Sequence, residues 1–446
     1  MNDTVMQTQI AVLGGGPAGY VAAVRAARLG AKVTLVEERA LGGVCLNRGC
    51  IPAKALLHSA LRFSEWAAEV NNKDKIVRQL GMGVAHILSS SGVAVITGYG
   101  TVLDAHTIAV QRPDGGNTAI KCTKMILATG AKPLIPKIKG IDSDGVLTSD
   151  ELLDLDTLPL SMMLIGAGVI GLEFAVMLAK AGVKVTVMEL AERILPAEDS
   201  EIAAELYKIM RRKGIGFKLS AAVTEIKCVD EQLSVSFITD GKESMMAAEK
   251  ILMATGREFN TKPFAALGLA MKNGAVAVNN KMETSVKDVY AAGDIAGGRL
   301  LAHLAFMEGK VAAENALGHE SHVNYHAVPA CVYTEPEIAL VGMSEQEAVA
   351  QGINPKFGRF DFRNNGRAAT LRERDGFVKV IADENNVIIG AQILGANASE
   401  LISELTLAIT LSVKAEVIAD MIHPHPALAE AVWEACADLC GRAIHK

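Results

Sequence analysis

The chain has 446 residues, half of them hydrophobic and few aromatic, with a formal net charge of −6 and acids and bases interspersed along its length. That length exceeds one ordinary core and calls for roughly two to four domains. The charge excludes a nucleic-acid surface or a polybasic membrane patch, and no apolar run approaches membrane-spanning length. Seven cysteines in so long a chain do not make a secreted disulfide scaffold; they suit a cytoplasmic protein with one catalytic pair. Abundant Gly, Ala and Val suit parallel sheets covered by helices.

The N-terminal segment lacks a basic leader region and reads as the first strand of a domain. Residues 10–37 then read as strand, glycine turn, helix and strand, with Gly14, Gly16 and Gly19 in the turn and Glu37 at the second strand's tip. This is the full dinucleotide fingerprint. The glycines let the backbone approach a pyrophosphate, the helix N-terminus attracts the phosphates, and the glutamate accepts ribose hydroxyls.

The stretch Gly42-Gly43-Val44-Cys45-Leu46-Asn47-Arg48-Gly49-Cys50-Ile51-Pro52 follows. In an ideal helix, residues five apart sit too far apart for a relaxed disulfide. If Cys45 and Cys50 bond, the backbone between them folds back, and Asn47 and Gly49 suit such a turn. Pro52 suits the first turn of a helix, whose N-terminus favours a nearby thiolate. Two unbonded thiols in a glycine loop is the alternative. Arg48 either favours the Cys45 thiolate or faces solvent.

Ala128-Thr129-Gly130 ends a later strand with small residues that let backbone lie close to a ligand, and Ala254-Thr255-Gly256 does the same in the second half. Residues 163–189 repeat the first plan, with Gly166, Gly168 and Gly171 in the turn and Glu189 at the strand tip. In each copy the acid follows the last glycine by 18 residues (37 − 19 and 189 − 171). The first copy leads into the cysteines, so its cofactor is expected to be FAD and the other a nicotinamide dinucleotide. A carboxylate at Glu189 repels a 2′-phosphate and favours NAD(H), with Arg193 as the competing basic residue. Asp294 ends a strand before a glycine-rich turn, where an acid binds polyol hydroxyls or caps a helix. Cys436 and Cys440 lie one helical turn apart and read as packing residues, as do the apolar settings of Cys122, Cys228 and Cys331.

Together GGVCLNRGCIPAK, the paired fingerprints, ATG, AAGD, YTEPEIALVG and HPHPALAE resemble the disulfide-reductase family of pyridine-nucleotide flavoproteins, and within it the dihydrolipoamide dehydrogenases. The resemblance implies an α/β fold with two Rossmann-like dinucleotide-binding domains and a C-terminal α+β dimerisation domain. The FAD domain would span 1–147 and 270–325, the NAD domain 148–269 and the interface domain 326–446. Cys45 would be the thiol that attacks substrate, and Cys50 the thiol beside the flavin. Lys54 with Glu173, Gly100, Thr129, Gly130, Asp294 and Ala302 would serve the flavin side. Glu189, Val223 and Gly256 would touch the nicotinamide dinucleotide.

His425 would be the acid–base histidine oriented by Glu430, acting on the other subunit of an obligatory homodimer. Pro426 suits a helix start, with Glu430 one turn in, and His423 reads as a solvent-facing loop residue. No metal is implied. The implied reaction oxidises protein-bound dihydrolipoamide with NAD+. The lipoyl groups would come from a partner, an E2 or glycine-cleavage H protein, because no lipoyl domain precedes the first strand. Reduction of glutathione or another small disulfide is the nearest rival, and a scaffold role the non-enzymatic one. The chain departs from the family after Trp66, where it is shorter than usual, and at Ala427, where threonine is common.

Overall fold

The computed structural model describes residues 4–59, 66–230 and 232–446. They divide into two units: residues 4–59, 66–135, 148–157 and 256–323 in the first, and 136–147, 158–230, 232–255 and 324–446 in the second.

In the first unit, β1 (Thr4–Leu13), α1 (Pro17–Arg28) and β2 (Val33–Glu37) realise the strand–turn–helix–strand plan. The cysteine segment forms two short helices, α2 (Gly43–Arg48) and α3 (Cys50–His58), broken at Gly49. A long helix, α4 (Trp66–Ser90), fills the region after Trp66. It leads into β3 (Ala94–Thr97), β4 (Tyr99–Asp104), β5 (Thr107–Gln111) and β6 (Asn117–Leu127). The sheet order is β3-β2-β1-β6-β5-β4, and Val289–Ala291 adds a strand beside β6. β1 pairs in parallel with β2 and β6, so that Leu13 faces Val36 on one side and Leu127 on the other. Ile10, Val12, Leu35, Ile126 and Leu127 are wholly buried, as strands covered on both faces require. Residues 148–157 run against the helices: Trp66 Nε1 donates to the Leu155 carbonyl at 2.7 Å, and the buried Lys73 ammonium reaches the Leu153 carbonyl and Asp154, each at 2.9 Å.

The second unit repeats the parallel design. Its five-stranded sheet orders Gly216–Lys218, Lys184–Met188, Ser161–Ile165, Lys250–Met253 and Val146–Leu147. The helices Val169–Lys180 and Ser200–Arg212 belong to it, as does an antiparallel sheet of Ala222–Val229, Gln232–Thr239 and Lys242–Ala248. Beyond residue 324 comes a five-stranded antiparallel sheet with Ile388–Gly395 at its centre, and the helices Ala398–Thr410 and Glu430–Leu439 pack on it. Their shared core includes Ile402, Leu405, Val432, Ala435 and Cys436. The α/β class, the two Rossmann-like sheets and the C-terminal α+β portion are as expected from the sequence. Among the described residues, no helix is long and apolar enough to cross a membrane.

Candidate active site

The two glycine turns are built alike. In the first, Glu37 Oε2 accepts the Gly15 N–H at 2.6 Å and Oε1 the Arg39 N–H at 2.8 Å. In the second, Glu189 accepts Ala167 N–H at 2.7 Å and Ala191 N–H at 2.8 Å. The strand-tip acid therefore fastens its own turn, a role that spacing alone did not reveal, and keeps spare lone pairs for a ligand. The third glycine of each turn is a packing residue. A Cβ on Gly19 would lie 1.8 Å from the Gly14 carbonyl oxygen, and one on Gly171 2.1 Å from that of Gly166. The middle glycine of the second turn is different: a Cβ on Gly168 would meet nothing within 4 Å. That open space lies at the N-terminus of the helix Val169–Lys180, where exposed N–H groups suit a pyrophosphate. The turn thus fits the dinucleotide it was expected to hold. Arg193 does not compete with Glu189, because its guanidinium donates to the carbonyls of Leu195, Pro196 and Glu198.

The first glycine turn carries the cysteine helices. Gly42 N–H donates to the Gly15 carbonyl at 2.8 Å, and a Cβ on Gly43 would lie 2.5 Å from Gly16 Cα. Backbone therefore sits directly on backbone, and a dinucleotide on that turn would lie beside α2. Cys45 stands in α2 and Cys50 opens α3, both half-buried. A side-chain hydrogen bond joins them. The chain between them turns at Gly49, as expected, but stays largely helical on either side.

The Cys45 thiol is pushed far above the usual range, first by its hydrogen bond to Cys50 and then by burial, against the pull of Lys54. Cys45 lies in the first turn of α2, and its hydrogen bond to a second sulfur and its burial outweigh any lowering by that helix start. Arg48 takes neither of the two roles expected for it: its Nη1 lies 3.0 Å from Asp150 Oδ2, in an ion pair with the 148–157 segment.

Asp294 follows the strand Val289–Ala291, and burial raises its carboxyl against the pull of the Arg257 guanidinium. A half-buried carboxylate beside a cation suits polyol hydroxyls. Arg257, which sequence reading missed, donates to the Ala131 carbonyl at 2.9 Å and feels the charges of Asp294, Asp150 and Cys50. Thr129 and Asn260 exchange two hydrogen bonds of 2.9 Å, so Asn260 is a second residue with no signal in the sequence. Gly130 is open around a would-be Cβ, whereas Gly100 packs on Leu13. Ala302 is the first residue of the helix Ala302–Ala316, and Lys54 lies one turn beyond Cys50 on α3. In the second unit, Glu173 is buried and accepts the Tyr333 N–H at 3.0 Å, and Val223 lies in the strand Ala222–Val229. Gly256 falls on the first unit's side of the division.

His425 and Glu430 also belong to the second unit. Nδ1 of the imidazole lies 2.8 Å from Glu430 Oε1, while Glu430 Oε2 accepts the Ala427 N–H at 2.9 Å. The Glu430 carboxyl is held below its ordinary value: burial opposes this, but the Ala427 N–H and His425 outweigh it. The helix starts at Glu430 and not at Pro426, whose bond to His425 is cis, so the carboxylate reaches back from the first helical residue. The imidazole is 77% exposed and borders an open cavity of about 790 Å³. His423 is not solvent-facing as expected: its side chain is 4% exposed and pairs with Glu404 at 3.1 Å. Cys228 likewise departs from expectation and is exposed, while Cys122 and Cys436 are buried. Among the described residues, no group of three or more His, Cys, Asp or Glu could hold a metal ion.

Two family models match, one described as pyridine nucleotide-disulphide oxidoreductase over residues 8–309, the other as its dimerisation domain over residues 328–436. The dihydrolipoyl dehydrogenase of Bacillus subtilis is 40% identical, covering 98% of each chain, and that of Halobacterium salinarum is 40% identical, covering 100% of this chain and 99% of the other. Among solved structures, LpdA from Mycobacterium tuberculosis superposes with a TM-score of 0.90 at 29% identity over 97% of this chain and 99% of the other. The HOCl-induced flavoprotein disulfide reductase RclA from Escherichia coli gives 0.88 at 29% identity over 96% and 99%. Matched from end to end, with both glycine turns and the hydrogen-bonded cysteines in place, this chain belongs to the pyridine nucleotide-disulphide oxidoreductase family.

Proposed function

We propose that the chain is an FAD-containing disulfide oxidoreductase that oxidises dihydrolipoamide and reduces NAD+, working as a homodimer in the cytoplasm on lipoyl groups carried by a partner protein. The observation that carries this reading is the pair of coupled side-chain couples: Cys45 hydrogen-bonded to Cys50, and His425 hydrogen-bonded to Glu430. The first couple stores an electron pair as a dithiol; the second moves protons. The reading keeps the division into an FAD domain (1–147 with 270–325), an NAD domain (148–269) and an interface domain (326–446), and the matched dimerisation model supports the homodimer.

In the substrate half-reaction, one lipoyl thiol gives its proton to His425, and the resulting thiolate attacks Cys45 of the disulfide. The Cys45–Cys50 bond breaks, and Cys50 leaves as a thiolate. The second lipoyl thiol then attacks the lipoyl sulfur bound to Cys45, passing its proton to Cys45 as that sulfur leaves and the lipoyl ring closes, while His425 keeps the first proton. The disulfide has gained two electrons and the dithiol has lost two. The Cys45 proton, held by the hydrogen bond to Cys50, leaves negative charge on the sulfur proposed to face the flavin. Glu430 fixes the imidazole tautomer and stabilises the imidazolium. A bound FAD would supply two-electron redox chemistry between the dithiol and NAD+. Gly14, Gly16, Gly19 and Glu37 would hold the first cofactor, and Gly166, Gly168, Gly171 and Glu189 the second.

The test is NAD+ reduction by free dihydrolipoamide, with NADP+ in parallel. Fast turnover with NAD+ and little with NADP+ is expected. A yellow, dimeric protein that reduces glutathione disulfide with NADPH and ignores dihydrolipoamide overturns the reading.

A further inference from the structure

His425 projects from the segment between Ala419 and Ala427, which is held at both ends and between them. At its start, Trp433 Nε1 donates to the Ala419 carbonyl at 2.8 Å. At its end, Asn365 Nδ2 donates to the Ala427 carbonyl at 3.1 Å and Glu430 accepts the Ala427 N–H. Between them stands His423. Its neighbour Ile422 is 96% exposed, so the residue before it supplies no anchor.

The His423 ring has a defined protonation pattern. Nε2 lies 3.1 Å from the Glu404 carboxylate, and Nδ1 lies 3.2 Å from the Met421 carbonyl. Both partners are acceptors, so both ring nitrogens must donate, which makes the ring an imidazolium. Glu404 comes from the helix Ala398–Thr410, and the core neighbours Ile402 and Leu405 fix that helix. From the other side, the helix Glu430–Leu439 presents Glu430, whose charge also favours the protonated ring, and Cys436, which feels Glu404. Consistently, the ring titrates above the ordinary histidine value, chiefly through its hydrogen bond to Glu404 and against burial.

We propose that His423 is a positioning residue for the acid–base step: a buried imidazolium, clamped by Glu404, that fixes the segment bearing His425 and balances a carboxylate behind the His425–Glu430 couple. This rests on the proposed dihydrolipoamide reaction. A displacement of the order of 1 Å at a reacting group costs up to about a hundredfold in rate. The clamp is the side-chain link nearest to His425 on its N-terminal side.

The experiment uses the FAD-loaded dimer and compares His423→Asn, Glu404→Gln and the double variant. His423→Asn should lower kcat with dihydrolipoamide at least tenfold while NADH-to-dye activity, which does not need His425, stays within about twofold. It also leaves Glu404 uncompensated. The acid limb of the kcat profile should therefore move to higher pH by about half a unit. The double variant removes both charges, so the limb should return to its wild-type position while kcat stays low. A merely structural role would lower rate or melting temperature without that shift and return.

Wild-type kcat in folded His423→Asn, or a limb that does not move, overturns the proposal. Should His423→Asn fail to fold, ¹⁵N-histidine spectra of the wild type and Glu404→Gln decide. A ring protonated on both nitrogens at pH 7.5 that begins to titrate near neutrality in Glu404→Gln supports the clamp. A neutral ring in the wild type overturns it. Failure of the underlying reading looks different: the wild type itself would oxidise no dihydrolipoamide while still reducing dye.

Discussion

Glu189 accepts the N–H of Ala167 at 2.7 Å, which ties the anion at the strand tip to the backbone of the second glycine turn. One carboxylate thus shapes the turn and sets the charge that a 2′-phosphate would meet. Glu189→Gln keeps an acceptor and removes the charge, so the ratio of kcat/KM for NADP+ over NAD+ should rise about tenfold, a change of about 1.4 kcal/mol. Because Arg193 is occupied by three backbone carbonyls, the variant should still prefer NAD+. Steady-state kinetics with both acceptors checks this.

The glycines of the second turn should respond in opposite ways. Gly168→Ala places a methyl group in open space, so the fold should keep its melting temperature while NADH binding weakens about tenfold or more. Gly171→Ala drives a methyl group to 2.1 Å from the Gly166 carbonyl oxygen, so stability should fall by about 1–3 kcal/mol. Calorimetry and NADH fluorescence titration separate the two outcomes.

Cys45→Ser should abolish dihydrolipoamide turnover and leave NADH-to-dye activity. Retained lipoamide turnover would falsify the disulfide path. Loss of both activities would point to damage at α2, which sits on the first glycine turn.

Glu430→Gln should lower kcat with dihydrolipoamide by about ten- to a hundredfold, since the imidazolium loses its counter-charge. A stability signature should accompany it. The folded carboxyl is held below its ordinary value of 4.5, so its contribution is complete above that value and is lost as pH falls through the lower folded value. The melting-temperature gap between wild type and variant should be full at neutral pH and close on acidification below about 4.5. A gap that widens there would contradict the assignment.

Glu434 is buried and accepts the Ile444 N–H at 3.0 Å, the His445 N–H at 3.3 Å and His445 Nδ1 at 2.6 Å. Glu434→Gln leaves one oxygen where two served. Stability should fall by about 1–3 kcal/mol, read by denaturant unfolding, with dye reduction unchanged.

The repeated glycine turns, the strand-tip acids and the cysteine pair were legible because each depends on residues close in sequence. Backbone approach and strand–helix alternation leave local marks. Arg257 and Asn260 left none, because each acts across more than a hundred residues, and Glu404 left none because a glutamate on a helix is ordinary at its own position. His423 was misread for the same reason: two residues from an exposed imidazole, its burial is decided by a glutamate on another helix. The helix start at Pro426 failed because the Glu430 carboxylate, reaching back to Ala427, fixes the boundary more strongly than proline's backbone preference. Neither the thiols nor solvent, the two settings the sequence offers Arg48, is its partner, because Asp150 lies on a segment 102 residues away.

Cys228 stands exposed on the strand Ala222–Val229, while Cys122 and Cys436 are buried with thiols raised by burial. Once the redox pair is oxidised, a maleimide dye should therefore settle first on the second unit and spare the protein's interior. That gives a natural attachment point for a fluorophore, from which cofactor binding could be followed by quenching without engineering any residue of the site.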